Sequence, residues 1–164
     1  MKDQRTSYRE QSPWPGWVNA IFWGAMLVSC YPLIAGWDTD LEFTRRLLIV
    51  TSIMSVAVGL KVVMGGLTVR VQEDRVFIHL GSVPLVKKLV PFDSITDLES
   101  VQYSPIREFG GWGVRGLGKK RAWTSRGDQA VVLMLENGTH LYVGSDHPRR
   151  LEERIRAAVG ERLR

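Results

Sequence analysis

The chain has 164 residues, a formal net charge of +5 and a pI of about 9.7, the size of one modest domain with accessories. A single cysteine, Cys30, and three scattered histidines exclude an internal disulfide framework and a Cys/His zinc spacing. The mean hydropathy of −0.07 hides two populations, because residues 17–37 and 47–67 are strongly apolar and the remainder is polar and basic.

Residues 1–16 read as an N-terminal tail carrying Lys2, Arg5 and Arg9. Trp17 to Trp37 follows without a charge, and at 1.5 Å per residue such a segment matches the ~30 Å of a hydrocarbon core. Trp14, Trp17 and Trp37 bracket it as interfacial aromatics would. The second segment, residues 43–67, is uncharged from Leu47 to Leu60 and then meets Lys61, which can snorkel from a helix end. Ser52, Ser55, Ala57 and Gly59 would let two helices approach closely. Together these segments predict a transmembrane hairpin over 17–67, joined by the acidic connection at 38–42. The basic flanks favour both termini on the cytoplasmic side of a bacterial inner membrane, with Arg45 and Arg46 against that asymmetry. A second reading takes Leu27-Val28-Ser29-Cys30 as a lipoprotein cleavage box, against which Tyr31-Pro32-Leu33-Ile34 continues the apolar run.

From residue 68 the hydrophobic period changes from helical to alternating. Strands are predicted over 68–72, 75–80, 85–90, 95–103, 121–124, 130–136 and 139–143, with Glu73-Asp74 and Asn137-Gly138 as hairpin connections. A C-terminal helix follows, capped by Ser145 or Asp146 with Pro148 in its first turn. Leu151, Ile155, Ala158, Val159 and Leu163 form its apolar stripe, and Glu152, Glu153, Arg154 and Arg156 lie opposite.

Seven short strands closed by one amphipathic helix is the plan of a pleckstrin-homology-like (PH-like) barrel. The chain is similar to small bacterial integral membrane proteins that carry such a domain after two transmembrane helices. The resembling residues are Val90-Pro91-Phe92-Asp93-Ser94-Ile95, Gly110-Gly111-Trp112-Gly113-Val114-Arg115, Leu135-Glu136-Asn137-Gly138 and Val143 to Pro148. The resemblance implies an α+β membrane protein, with a tail (1–16), a transmembrane hairpin (17–67) and a PH-like domain (68–164). It implies a topology more than an activity. Phosphoinositide-binding PH domains use basic residues around their first hairpin loop, whereas Gln72-Glu73-Asp74-Arg75 is short and acidic, so that binding mode is not carried over.

Gly111-Trp112-Gly113-Val114-Arg115-Gly116 fits the dinucleotide pattern G-x-G-x-x-G letter for letter. The pattern needs a helix after it to hold a pyrophosphate. Here Leu117-Gly118-Lys119-Lys120-Arg121 follows with a β-type pattern instead. His79, His140 and His147 are far apart, and the serines lack a paired His/Asp arrangement. Asp93, Asp97 and Glu99 read as charges that guard an edge strand. No catalytic activity, cofactor, metal or nucleic-acid partner is therefore expected.

The basic segment remains. Residues 107–126 hold six cations against one carboxylate, a surplus equal to the net charge of the whole chain. One reading is that Trp112 packs back on the barrel and anchors a long irregular connection. The other is that Trp112, Arg115, Lys119, Lys120 and Arg121 form a contact surface. The expected function is a membrane-anchored, non-catalytic interaction module that binds a partner protein, with self-association open. The alternative is a peripheral reader of anionic lipid.

Overall fold

The computed structural model describes residues 6–34, 40–63 and 65–162. Lys2, Arg5, Trp37, Asp38, Thr39 and Leu163 lie outside the described residues. The elements run β1 (Thr6–Ser12), α1 (Gly16–Ile34), α2 (Asp40–Val63), β2 (Leu67–Gln72), β3 (Arg75–Leu80), β4 (Val86–Pro91) and β5 (Ile95–Gln102). Then come α3 (Pro105–Phe109), β6 (Gly113–Leu117), β7 (Lys120–Thr124), β8 (Gln129–Leu135), β9 (His140–Gly144) and α4 (Pro148–Arg162).

The strands build two sheets. The first is the antiparallel meander β1-β2-β3-β4, and the second has the order β5-β8-β9-β7-β6, with β7 and β9 parallel. Alternation decides which side of each strand is buried. Val69 and Val71 on β2, Val76, Ile78 and Leu80 on β3, and Leu133, Leu141 and Val143 on the second sheet all point into one core. Leu151 and Ile155 of α4 close that core and are fully buried, with Ala158 and Val159 partly so. Polar contacts fasten the same helix. Glu152 accepts from the Ser100 amide (3.0 Å) and hydroxyl (2.6 Å), and Arg156 donates to Glu152 (2.9 Å) and to the Leu98 carbonyl.

Residues 6–12, read from the sequence as part of a tail, form an integral strand. β1 pairs with β2 from Thr6↔Gln72 to Ser12↔Leu67, so the helical hairpin is inserted where a tight β-turn would otherwise join the two strands. β1 also caps α4. The Glu10 carboxylate accepts from the Ser145 hydroxyl (2.8 Å) and from the amides of Asp146 (2.7 Å) and His147 (3.3 Å). The predicted cap Ser145 has a shared role, since its oxygen also accepts from the His147 amide at 3.0 Å.

Several expectations are corrected. Among the described residues no helix is long and apolar enough to cross a membrane. α2 carries Arg45, Arg46 and Lys61 within its length, and α1 spends Asn19 and Ser29 in only 19 residues. That finding overturns the transmembrane hairpin over 17–67, the two-span membrane protein and the multi-pass inner-membrane location. The seven-strand closed barrel is also overturned. Nine strands are described in two open sheets, because a 3-10 turn at Phe92–Ser94 carries the chain from one sheet to the other. Backbone bonds at this crossing, Phe92 amide to Asp74 carbonyl and Glu136 amide to Ser94 carbonyl (3.0 Å each), do not extend into a ladder.

Candidate functional site

The basic segment expected to be one irregular link contains two elements. Pro105 occupies the first turn of α3 after Ser104, where its missing N–H costs nothing. Gly110 ends the helix in the left-handed region at φ 72°, and its amide returns to Ile106. The Ser104 amide donates to the Glu108 carboxylate at 2.8 Å. The chain then forms the β6–β7 hairpin, with Leu117 paired to Lys120 around the two-residue loop Gly118-Lys119. Gly118 at φ 61° supplies the positive φ that the first loop position of a type II′ turn requires. Gly116 is fixed by a second constraint. It sits at φ 100°, and a Cβ there would lie 2.2 Å from the Lys120 carbonyl oxygen and 2.9 Å from the Arg121 Cα.

This hairpin ends the second sheet. β7 lies against β9, and β6 is the outermost strand with one edge unpaired in the sheet order. The fold therefore places no helix after the G-x-G-x-x-G letters, because they run into β6. Trp112 is half-buried, and its indole N–H donates to the Gly127 carbonyl at 2.8 Å. It holds the loop before β6 against the turn before β8.

The four cations divide. Lys120 is committed internally. Its ammonium pairs with Glu108 at 2.6 Å and lies over the rings of Phe109 (5.3 Å) and Tyr142 (5.1 Å). That hydrogen bond raises the Lys120 pKa and, from the other side, holds the Glu108 carboxyl below its ordinary value, helped by the Ser104 amide. Tyr103, Phe109 and Tyr142 form a ring cluster beneath it, with centroids 5.1–5.9 Å apart, so Lys120 docks α3 onto the sheet. Arg115, Lys119 and Arg121 are exposed, and none pairs with a carboxylate among the described residues. Arg115 and Arg121 each give one N–H to a local carbonyl, Trp112 and Gly118, at 3.2 Å.

The sequence reading missed Leu117. It stands 93% exposed at the hairpin tip, among these three cations, with Val114 exposed further along β6. The apolar-polar sequence of β6 could have shown it, had the glycines not suggested an irregular loop.

Elsewhere, no cluster of three or more His, Cys, Asp or Glu suited to a metal occurs among the described residues. His79 is buried on β3, and among the described residues neither ring nitrogen has a partner at full hydrogen-bond geometry. Burial pushes its pKa below the ordinary value, and the neighbouring Arg70 guanidinium acts in the same direction.

The resemblance to small bacterial proteins with two membrane spans is not upheld, since no described helix is long and apolar enough to cross a membrane, and the strands form two open sheets in place of the expected closed barrel. No protein-family model, no curated protein and no solved structure matches the chain.

Proposed function

We propose that the chain is a non-catalytic interaction module that receives an extended acidic segment of a partner protein along the outer edge of β6. The observation that carries this reading is the coincidence of three features on the β6–β7 hairpin. β6 has an unpaired edge, its flanking cations Arg115, Lys119 and Arg121 face no carboxylate among the described residues, and Leu117 is exposed at its end. An edge strand offers main-chain donors and acceptors to an incoming strand, and side chains beside it select the sequence. Cations along that edge steer and discriminate more than they add affinity.

The test is a fluorescence-anisotropy titration of the full chain with a labelled peptide of alternating Glu and Val, beside its Lys/Val counterpart. The acidic peptide is expected to bind and to weaken as salt rises, because exposed ion pairs are screened. Combined change of Arg115, Lys119 and Arg121 to Ala removes three exposed pairs worth roughly 0.2–1 kcal/mol each, hence about a tenfold loss. Equal binding of both peptides would remove the reading.

A second reading is supported by Leu117 in particular. An apolar tip ringed by cations also suits the surface of an anionic bilayer, where each cation contributes ~1 kcal/mol. Flotation with anionic and with neutral vesicles separates the two, because a lipid reader floats only with the anionic ones and ignores the peptide.

A further inference from the structure

We infer that the cleft between α1 and α2 is a binding site for a single-chain carboxylate amphiphile of the fatty-acid class. This site is independent of the β6 edge. Its volume is about 460 Å³, within the ~300–1,000 Å³ usual for small-molecule sites. It opens where β1 hands the chain to α1 and α2 returns it to β2.

Trp14, Val18, Phe22 and Ala57 form apolar walls. Two polar side chains interrupt them, the amide of Asn19 on α1 and the ammonium of Lys61 on α2. That is the composition of a site for an amphiphile, with one long apolar surface and a few polar groups that fix orientation.

Lys61 decides the class. Its ammonium lies 4.7 Å from the centroid of the Phe22 ring and 4.4 Å from that of Trp23, which places the charge over ring faces at the cleft wall. No carboxylate among the described residues pairs with it. A cation held against apolar walls gains most from an anion that brings its own apolar chain. One ammonium matches a monoanion, and the Asn19 amide can donate to the second carboxylate oxygen. A neutral lipid would fill the walls and leave the ammonium unanswered.

The test titrates the full chain with cis-parinaric acid and reads its displacement by laurate and by methyl laurate. Laurate is expected to displace the probe at about tenfold lower concentration than the ester. Lys61→Gln is expected to bring that ratio close to one, and Lys61→Arg to keep it. Ala57→Leu, which narrows the cleft, is expected to weaken both competitors together while the far-ultraviolet circular dichroism stays unchanged. A ratio near one in the unmodified chain overturns the inference, as does a ratio that survives Lys61→Gln.

Discussion

Glu10→Ala tests whether residues 6–12 belong to the fold. In the structure this carboxylate answers four donors, the Tyr8 hydroxyl (3.1 Å), the Ser145 hydroxyl, and the Asp146 and His147 amides that precede α4. It acts as the cap of a helix more than 130 residues away in sequence. Losing an ordinary cap costs about 1 kcal/mol, and hydrogen bonds to a charged acceptor are worth about 1.5–3 kcal/mol. Glu10 is half-buried, so these contributions are partly screened, and a total of about 2–3 kcal/mol follows. For a chain of this length that corresponds to a melting-temperature drop of roughly 5–10 °C. Urea denaturation of the full chain measures the energy, with Arg9→Ala on the exposed side of the same strand expected to cost under about 0.5 kcal/mol. A second readout is independent of stability. The Tyr8 hydroxyl is pushed up to about 12, first by burial and then by the Glu10 charge and hydrogen bond, so Glu10→Ala is expected to lower it without restoring the ordinary value. If Glu10→Ala costs no more than Arg9→Ala, β1 is not the strand that holds α4.

Other consequences follow from single residues. Replacing residues 13–66 by Asn-Gly, a type I′ turn, joins Ser12 to Leu67, which are already paired. The shortened chain is expected to unfold cooperatively, and a non-cooperative melt would show that the helices support the sheets. Gly116→Ala forces a Cβ against the Lys120 carbonyl at a positive φ and is expected to cost about 1–3 kcal/mol, or to open the β6–β7 hairpin as read by amide exchange. His79 is held neutral, with its pKa below the ordinary 6.5, so the unfolded chain binds its proton first. Stability from the neutral ring is complete above about pH 6.5 and is lost as pH falls from there toward the folded value, and His79→Gln is expected to flatten that slope in urea melts at pH 5–7. Glu108, Asp146 and Glu152 all have lowered pKa values, set first by bonds to Lys120, Arg126 and Ser100 respectively. Their contribution is present above pH ~4.5 and disappears as pH falls below it.

The β-rich half was legible where alternation was apolar. β2, β3 and β9 bury alternate Val, Ile or Leu residues and β8 buries the run Ala130 to Leu133, and the observed ends fall within about one residue of those expected. β1 was not legible because its inward residues are Tyr8, Glu10 and Ser12, a polar set that buries through hydrogen bonds and leaves no hydrophobic period. β6 was hidden by Gly113 and Gly116, which usually mark loops. α3 carried its own signals in Ser104-Pro105 and Gly110, but five residues give no stripe to detect. Both apolar segments form helices, but among the described residues neither is long and apolar enough to cross a membrane, and α2 carries Arg45, Arg46 and Lys61 within its length. Within the candidate site, ion pairing separated residues that sequence had grouped. Lys120 belongs to the docking of α3, whereas Arg115, Lys119 and Arg121 face outward around Leu117.

The claim that β6 receives an acidic strand is tested most directly by comparing the Glu/Val peptide with the same peptide N-methylated at alternate residues along one edge. Methylation removes main-chain donors and leaves every charge in place. The account predicts that methylating the edge facing β6 weakens binding at least about tenfold, that methylating the other edge does not, and that the Arg115, Lys119 and Arg121 triple variant binds both weakly. Equal affinity for the two methylated peptides and the parent would contradict strand addition at β6.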